Sequence, residues 1–276
     1  MMLSPTRPGR PPAPASTLVR RLADRGPALI AMSGGVDSAL VASLAFEALG
    51  RRAIAVTLTG PAVSAREVER ARSVARSIGI DHRIRSVDPL AVAEYRANSS
   101  ERCFFCRSVE TRALLEIGTE WGAAQYVDGV HHDDLGDDRP GLIAMDRAGF
   151  WHPLADAGWG KEEVRRVARE RRLPNWDEPS DACLASRVRH GQPITAELLA
   201  RVERAEAIVR AHGFRQVRVR VDGDSARVEV EPESVRRLTD GPVGERVIAQ
   251  LLPLGFSTVT LDPRGYGRRP RSDPPP

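Results

Sequence analysis

The sequence is poor in cysteine, lysine, aromatic residues and long apolar runs. Of its 276 residues, three are cysteine and 5% are aromatic, and Lys161 is the only lysine among 41 basic residues. Three cysteines are too few for a disulfide framework, and their odd number favours metal binding or catalysis. No apolar run is long enough to span a membrane, and the first residues lack the apolar segment of a signal peptide. We therefore expect a cytoplasmic protein.

Neither sign of charge dominates the chain. Lys and Arg number 41 against 37 Asp and Glu, which gives a formal net charge of +4. This mildly basic balance permits an anionic partner but does not require nucleic acid. With 41% hydrophobic residues, the chain has the composition of a globular protein. Its length suits one large domain or two smaller ones.

One stretch combines an apolar run, a polar turn and a helical pattern. Residues 28–32 are apolar, and Ser33-Gly34-Gly35-Val36-Asp37-Ser38 follows directly. The pattern predicts a buried strand, a tight turn and a helix start. Glycine lets the backbone approach a ligand, and the free N–H groups and dipole of the helix favour an anion. Residues 33–38 therefore predict a phosphate-binding loop. It is not the G-x-x-x-x-G-K-[ST] loop, because it contains no lysine.

Strand and helix patterns alternate through the first two thirds of the chain. We predict strands at 27–32, 53–58, 82–87, 125–129 and near 142–145, and helices at 16–25, 38–49, 64–78, 89–97, 103–120 and 160–171. This alternation is typical of an α/β fold with a doubly wound parallel sheet, whose ligands bind at the carboxyl ends of the strands. We assign residues 16–189 to this domain.

The pattern changes near residue 190. A helix at 197–212, a hairpin formed by 214–221 and 226–230, a helix near 233–251 and a strand at 256–261 predict a smaller α+β domain over 190–265. The two ends, 1–15 and 266–276, are rich in Pro and Arg. This composition predicts disordered tails.

The three cysteines lie in two polar stretches. Cys103 and Cys106 form a C-x-x-C pair between two arginines, a spacing that suits metal ligation or redox chemistry. Cys183 lies near Asp181 and Arg187, in a loop interrupted by proline. Such surroundings favour a reactive or ligating thiol. Burial as small apolar residues is the alternative for all three.

A third polar stretch, residues 128–141, follows a predicted strand. It is rich in Asp and Gly, and its carboxylates could hold the Mg²⁺ that accompanies ATP. A surface loop is the alternative. His131 and His132 lie in it, and we assign them no role. The lone Lys161 is either a phosphate contact or a solvated residue at a helix start.

These motifs together resemble a known family. The turn SGG-x-DS is similar to the PP-loop of the ATP pyrophosphatases. With D-G-x(3)-DDLGD-x-RPG at 128–141 and W-x-x-PS-x-ACLASR at 176–187, the chain resembles the LarE family from about residue 16 to 265. The resemblance implies the PP-loop fold and ATP-dependent sulfur transfer in the synthesis of the nickel-pincer nucleotide cofactor.

The resemblance also implies a reaction and its site residues. A carboxylate of pyridinium-3,5-biscarboxylic acid mononucleotide is adenylated, pyrophosphate leaves, and sulfur then replaces AMP. Asp37 and Cys183 are the expected catalytic residues. ATP is expected at Ser33, Gly34, Gly35, Asp37, Ser38 and Gly129.

Two routes for sulfur occur in the family. In one route, a single cysteine gives up its own sulfur. In the other, three cysteines hold a [4Fe–4S] cluster whose free iron carries sulfide. Cys103, Cys106 and Cys183 match the second route in number. The sulfur then comes from sulfide or another donor.

In the second domain, Arg218 and Arg220 share one face of a predicted strand, because their spacing is two. By resemblance they bind the substrate phosphate where subunits of a homo-oligomer meet, and guanidinium groups suit phosphate. A solvated strand face is the alternative. Glu206 is a weaker match to an acidic site residue. The chain departs from the family at Val130-His131, where Thr-Asn is common, and at Asp138, where Tyr is common.

Two other functions compete with this interpretation. A tRNA thiolase of the PP-loop iron–sulfur type would combine the same turn with three cysteines. Its loop usually reads SGGKDS, however, whereas this chain has Val36, and the basic tails lack the interleaved aromatic residues of a single-strand binder. A non-catalytic nucleotide-binding module would leave the acidic loop and the cysteines without a role.

Overall fold

The computed structural model describes residues 12–136 and 140–267. The chain divides into two compact units. The first runs to Tyr95 and resumes over Ser100–Asp181, and the second comprises Arg96–Ser99 and the chain from Ala182 onward. The predicted tails fall largely outside the described residues, as does Asp138.

Four parallel strands form the sheet of the first unit, in the order β3-β2-β1-β4. They are β1 (Ala28–Ala31), β2 (Ala53–Thr59), β3 (Asp81–Ser86) and β4 (Gln125–Val127). The predicted bounds of these four strands agree to within one or two residues. The α/β fold with a parallel sheet is therefore confirmed.

Eight α-helices begin in the described part of the first unit. They are α1 (Ala15–Asp24), α2 (Val36–Leu49), α3 (Ala65–Ile78), α4 (Ala93–Arg96), α5 (Arg102–Trp121), α6 (Pro140–Arg147), α7 (Pro153–Asp156) and α8 (Lys161–Glu170). Ser64 and Glu67 form the predicted capping box of α3, in which each side chain accepts a hydrogen bond from the other's backbone N–H.

The strand predicted near 142–145 is wrong, because these residues lie in α6. Pro140 begins this helix, and Ala144 and Met145 are buried while Ile143 is 44% exposed. A short apolar run cannot distinguish a buried strand from a helix by its periodicity. Proline at the first helical position, where no N–H is needed, is the signal that favours the helix.

The strands of the first unit send alternate side chains into two cores. Ala28 and Ile30 pack with α1, α2 and α8, whereas Leu29 packs with Leu114 of α5 on the opposite face of the sheet. Strand residues alternate between the two faces with period two. Helices therefore cover both faces, and the carboxyl ends of the strands are left for a ligand.

The second unit contains a three-stranded sheet in the order β5-β6-β7. Its elements are α9 (Ala196–Ala211), β5 (Val217–Asp222), β6 (Ser225–Val230), α10 (Val235–Thr239), α11 (Pro242–Leu251) and β7 (Thr258–Leu261). The predicted hairpin is confirmed by the antiparallel pairing of β5 with β6. The single helix predicted near 233–251 is wrong, because Pro242, which has no N–H to donate, begins a new helix after Gly241.

The segment Arg96–Ser99 contributes a fully buried side chain to the second unit. Asn98 donates from Nδ2 to the carbonyl oxygens of Arg189 (2.8 Å) and Gln192 (2.9 Å), and its own carbonyl accepts from the N–H of Gly191 at 3.0 Å. Among the helices of the two described ranges we find no candidate for a membrane span.

Candidate active site

The predicted phosphate loop is a tight turn between β1 and α2. Ser38 Oγ accepts a hydrogen bond from the N–H of Ser33 at 3.1 Å and donates to the carbonyl of Gly35 at 3.2 Å, so the turn is closed on itself. Gly35 caps α2 in an extended conformation and offers no side chain to the first N–H groups of the helix. Those donors remain available to an anion.

Gly34 is required by two features of the turn. Its φ is +83°, and a Cβ added there would lie 2.9 Å from the carbonyl oxygen of Glu67 and 3.0 Å from the nitrogen of Ala71. A side chain would therefore meet both a left-handed conformation and the backbone of α3. The carbonyl of Gly34 accepts a 2.9 Å hydrogen bond from Nδ2 of Asn175, which is 2% exposed.

Lys161 lies in the site beside Asp37. Its Nζ is 2.7 Å from both carboxylate oxygens of Asp37. Its backbone N–H donates to Oδ2 of Asp133 at 2.8 Å, so the acidic loop holds the start of α8. Gly160 permits this contact, because a Cβ there would lie 2.9 Å from the Asp133 carboxylate. Of the two alternatives for this lysine, the structure favours a role in the site.

A cavity of about 120 Å³ opens beside this turn. Its lining combines the phosphate loop with α3, Lys161 and residues 178–181. Arg70 lies 3.7 Å from the carboxylate of Glu178 and 4.0 Å from that of Asp181. Burial and the nearby Asp181 raise the pKa of the Glu67 carboxyl group, against the opposing hydrogen bonds from Ser64. The cavity thus contains cations, carboxylates and free helix donors within the first unit.

Gly129 lies where the sequence predicted, immediately after β4 and against the phosphate loop. A Cβ at this position would lie 2.5 Å from the backbone nitrogen of Ser38 and 2.8 Å from the carbonyl carbon of Asp37. Only glycine allows the end of β4 to approach the start of α2 so closely. Its place at the carboxyl edge of the sheet agrees with its predicted role beside the nucleotide.

The described part of the acidic loop is held by local hydrogen bonds. Asp134 Oδ2 accepts from the N–H of His131 at 3.2 Å, while Asp133 holds the N–H of Lys161. His131 is 9% exposed. Residues 137–139 lie outside the described ranges. The carboxylates of Asp133 and Asp134 therefore hold the backbone around the site. Their role as magnesium ligands stays a prediction.

A buried histidine that the sequence did not single out lies next to this loop. His152 is 1% exposed, and its ring nitrogens lie 2.8 Å from Asp128 and 3.0 Å from Asp146. Burial alone would lower its pKa, but the hydrogen bonds and charges of the two carboxylates outweigh it and raise the pKa to about 9. His152 therefore connects the residue after β4 with α6 as a charged group.

Cys103 and Cys106 lie near the start of α5. Cys103 is exposed and Cys106 half-buried, and Cys106 Sγ donates to Oε1 of Glu110 at 3.5 Å. Gly141 of the R-P-G motif packs against this turn, because a Cβ there would be 3.7 Å from Cys103 Cβ. The spacing of three brings both thiols to one side of the helix start.

Cys183 belongs to the second unit, immediately before a 3-10 turn over Leu184–Arg187. The Arg187 guanidinium donates to the carbonyl oxygens of Ala182 and Cys183, and it forms two hydrogen bonds with the Glu206 carboxylate at 2.7 and 3.1 Å. Both side chains of this ion pair are 1% exposed. Glu206 also accepts from the N–H of Val219 at 3.1 Å, so the Cys183 loop is fixed to α9 and β5.

The cysteines are therefore divided between the units, with two in the first and one in the second. None of the three takes part in a disulfide. In residues 12–136 and 140–267, no group of three or more His, Cys, Asp or Glu side chains is arranged to hold a metal ion.

Arg218 and Arg220 lie on the face of β5 opposite its buried valines. Arg218 is 2% exposed, donates to the Val217 carbonyl at 2.8 Å, and its guanidinium lies 4.9 Å from the ring centre of Tyr266. Arg220 lies 3.1 Å from Glu229 and donates to the Ser186 carbonyl at 2.8 Å. The solvated strand face considered as the alternative does not apply to Arg218.

Sequence reasoning did not identify Asn175, Glu67, Arg70 or His152 as residues of the site or its surroundings. Asn175 directly precedes the W-x-x-PS motif, and this position could have indicated that it lies near the site. Glu67 was identified only as a capping residue. Nothing local in the sequence distinguishes Arg70 or His152 from other arginines and histidines, because their partners are distant in the chain.

Comparison with known proteins adds to this geometry. A family model described as NAD synthase matches residues 21–112. An uncharacterised protein of Synechocystis sp. is 42% identical over 240 residues, which are 87% of this chain and 89% of that protein. The pyridinium-3,5-bisthiocarboxylic acid mononucleotide synthase of Lactiplantibacillus plantarum is 35% identical over 253 residues, 91% of each chain. The NH(3)-dependent NAD(+) synthetase of Wolinella succinogenes is 37% identical over 78 residues, 28% of this chain and 30% of that enzyme.

Proposed function

The chain belongs to the LarE family of PP-loop proteins, and from this premise we propose that it is an ATP-dependent sulfur transferase. Its substrate in this proposal is pyridinium-3,5-biscarboxylic acid mononucleotide. The product is the thiocarboxylate needed for the nickel-pincer cofactor. The observation that supports this best is the phosphate loop with its cavity, in a chain that matches the L. plantarum synthase over nearly its whole length.

The first step is adenylation of the substrate. A carboxylate oxygen attacks the α-phosphorus of ATP, and pyrophosphate leaves. The free N–H groups at the start of α2 and the hydroxyl of Ser33 bind phosphate oxygens. Gly34, Gly35 and Gly129 allow the backbone to approach them, and Ser38 keeps the turn in shape.

Mg²⁺ is the cation that we propose to accompany ATP in this cavity. Asp37, Glu178 and Asp181 line it with hard oxygen donors, which Mg²⁺ prefers. The ion, when bound, would offset the charge of the phosphates. Asp37 is the carboxylate we propose as essential for this step.

The second step replaces AMP by sulfur at the acyl carbon. Cys183 is the residue we propose for sulfur handling, and Arg187 fixes its backbone. Arg218 and Arg220 are the proposed contacts of the substrate phosphate, completed by a neighbouring subunit in a homo-oligomer. That oligomer and a cytoplasmic location remain predictions from the sequence.

A [4Fe–4S] cluster is the proposed cofactor of this step. Three cysteines outside any disulfide, two of them on one helical turn, suit such a cluster in donor type and number. Cys103, Cys106 and Cys183 would hold it, and it would supply an iron site that accepts sulfide. Direct sacrifice of the Cys183 sulfur is the competing route.

The adenylation proposal is tested by measuring pyrophosphate release with and without the mononucleotide. We expect release only when both ATP and substrate are present, and its loss in Asp37→Ala. Arg166→Ala, on the solvent side of α8, is the control and should keep full activity. Formation of ADP and phosphate instead would contradict adenylation.

The cysteine proposal is tested by anaerobic reconstitution with iron and sulfide. We expect a brown protein that turns over repeatedly with added sulfide, and each Cys→Ser change should abolish sulfur transfer while adenylation persists. A colourless protein that stops after one turnover, with Cys183 converted to dehydroalanine, would show the sacrificial route instead.

A further inference from the structure

Asn175 contacts the phosphate loop from a distant part of the chain, and neither step of the proposed reaction uses it. Its amide nitrogen donates to the carbonyl oxygen of Gly34 at 2.9 Å, across 141 positions of sequence. The side chain is 2% exposed. Because a carbonyl oxygen only accepts hydrogen bonds, the nitrogen of the amide, and not its oxygen, must face Gly34. The contact is therefore directional.

The other end of this amide shows what the position supplies. Oδ1 of Asn175 is buried and has no hydrogen-bond partner within residues 12–136 and 140–267. Burying a polar atom without a partner costs free energy, which an apolar side chain of similar size would avoid. The donor to Gly34 is therefore the contribution of asparagine at this position.

The backbone that carries Asn175 is itself fixed within the first unit. Leu173 and Trp176 pack against the core that α1, α2 and α8 share. The carbonyl oxygen of Asn175 accepts from the N–H of Glu178 at 3.2 Å, and Arg165 of α8 donates to the Glu178 carbonyl at 2.9 Å. The amide is thus held against the loop from a rigid support, which precise positioning requires.

The hydrogen bond from Asn175 fixes one peptide plane of the loop. The Gly34–Gly35 bond is trans, and in a trans peptide the carbonyl oxygen and the next N–H point in opposite directions. With the Gly34 oxygen held by the buried amide, the N–H of Gly35 must point the other way. Gly35 lines the cavity. Its N–H lies 3.3 Å from Oγ of Ser33, a long contact that a phosphate oxygen can replace.

This plane lies between two glycines, so the loop alone does not fix it. Glycine adopts positive and negative φ with similar ease, and a peptide between two glycines can rotate without side-chain clashes. After such a rotation the Gly34 oxygen would point into the cavity and repel a phosphate, and the Asn175 amide would lose its acceptor. Asn175 therefore stabilises the orientation that suits an anion.

Two neighbouring peptides of the loop are held in a similar way. The carbonyl oxygen of Met32 accepts from Oγ1 of Thr57 at 2.6 Å, and that of Gly35 accepts from Oγ of Ser38 at 3.2 Å. Thr57 is 2% exposed, so its contact also lies inside the protein. With their oxygens held by side chains, these peptides do not present carbonyl groups to an anion.

We propose that Asn175 is a positioning residue of the phosphate loop, which keeps the Gly34–Gly35 peptide turned so that the Gly35 N–H faces a phosphate of ATP. This inference rests on the proposed function, because it takes ATP as the ligand of the loop. Asn175 acts through Gly34 and makes no contact with the nucleotide itself. Its effect is to hold one donor in place before the anion arrives.

The test is isothermal titration of the full-length protein with pyrophosphate, and separately with ATP, in the presence of Mg²⁺. Asn175→Ala removes the donor, and we expect it to weaken binding of both ligands about 10-fold, as for one charge-assisted hydrogen bond. Asn175→Asp keeps the volume of the side chain but faces Gly34 with an oxygen, so it should weaken binding at least as much. It replaces Asn175→Ala if that variant does not fold.

Asn98→Ala is the matched control. Asn98 is also fully buried, and its amide also donates to backbone carbonyl oxygens, those of Arg189 and Gln192 in the second unit. This variant should lower the melting temperature, as Asn175→Ala does, yet bind pyrophosphate like the wild type.

A second readout is the amide signal of Gly35 in NMR spectra of protein labelled with ¹⁵N-glycine. Adding pyrophosphate should shift this signal in the wild type and in Asn98→Ala, and much less in the two Asn175 variants. A purely structural role of Asn175 would leave this shift unchanged in the folded protein.

The outcomes separate the two proposals. A wild-type protein that binds neither ATP nor pyrophosphate would overturn the proposed function and this inference with it. Normal binding by the wild type, with equal pyrophosphate affinity in Asn175→Ala, would overturn the role of Asn175 and leave the proposed function standing. Equal weakening in Asn98→Ala would also contradict that role, as would a Gly35 shift as large in the Asn175 variants as in the wild type.

Discussion

Two ion pairs, one in each unit, have the same length but differ in their exposure to solvent. Asp37 and Lys161 meet at 2.7 Å in an open cavity, with about a quarter of each side chain exposed. Arg187 and Glu206 also meet at 2.7 Å, but both are 1% exposed and both hold backbone groups. The first pair costs little to break, because solvent screens it. The second pair is part of the framework, because each charge would be left buried without the other.

Breaking the buried pair should have the largest effect on stability. Glu206→Ala removes the partner of Arg187 and the acceptor of the Val219 N–H. We expect a loss of about 3–5 kcal/mol in the free energy of unfolding, as is found when one partner of a buried pair is removed. Denaturant titration measures this loss. Arg204→Ala, an exposed change on the same helix, should cost less than about 0.5 kcal/mol. Similar values for the two variants would show that Glu206 is not a framework residue.

The second largest effect should come from the phosphate loop itself. Gly34→Ala places a methyl group against the backbone of Glu67 and Ala71 at a φ of +83°. We expect about 2–3 kcal/mol of destabilisation from the strained backbone and the close contact, with loss of ATP binding. Gly50→Ala is the comparison, because it has a positive φ but no atom within 4 Å of an added Cβ. It should leave ATP binding unchanged, and equal effects of both variants on ATP affinity would contradict a specific role for the loop.

His152 predicts a pH dependence of the first unit. Its folded-state pKa of about 9 lies above its ordinary 6.5, so its contribution is fully present below pH 6.5 and is lost as the pH rises through 9. The shift corresponds to roughly 3 kcal/mol, which the exposure of Asp146 reduces to about 2 kcal/mol. Unfolding free energies measured from pH 6 to pH 10 should fall by this amount. The fall should be absent in His152→Gln, and a pH profile equal to that of the wild type would contradict the assignment.

The smallest effect on stability should come from the exposed pair. Lys161→Met leaves Asp37 without its partner, but both groups reach solvent. We expect a change below about 1 kcal/mol in the free energy of unfolding. The same denaturant titration checks this value. A loss comparable to that of Glu206→Ala would remove the distinction between an exposed pair and a structural pair.

The two pairs also differ in how far the sequence could predict them. Ser33, Gly34 and Gly35 are consecutive, and the strand before them and the helix after them have clear patterns. The turn and its place between β1 and α2 were therefore predicted from the sequence. Lys161 and Asn175 reach that turn from 124 and 141 residues away, and only the folded sheet brings them together. The strand predicted near 142–145 failed for a local reason, because a short apolar run fits either structure. Glu206 matched an acidic site residue by pattern. Its burial with Arg187 could not be predicted from the sequence, because the two residues lie in different elements.

The four residues Arg96–Ser99 have a consequence for the order in which the protein is built. They leave the ribosome well before Ala182, yet Asn98 finds its partners only at Arg189, Gly191 and Gln192. The second unit therefore cannot be completed from its own continuous segment. Because chains fold as they are synthesised, the hydrogen bonds of Asn98 can form only after about 90 more residues have emerged. A cut after residue 181 would not separate the two units, because Arg96–Ser99 would stay with the first fragment. The second fragment would lack Asn98, and the first would retain an asparagine whose amide has lost its carbonyl partners.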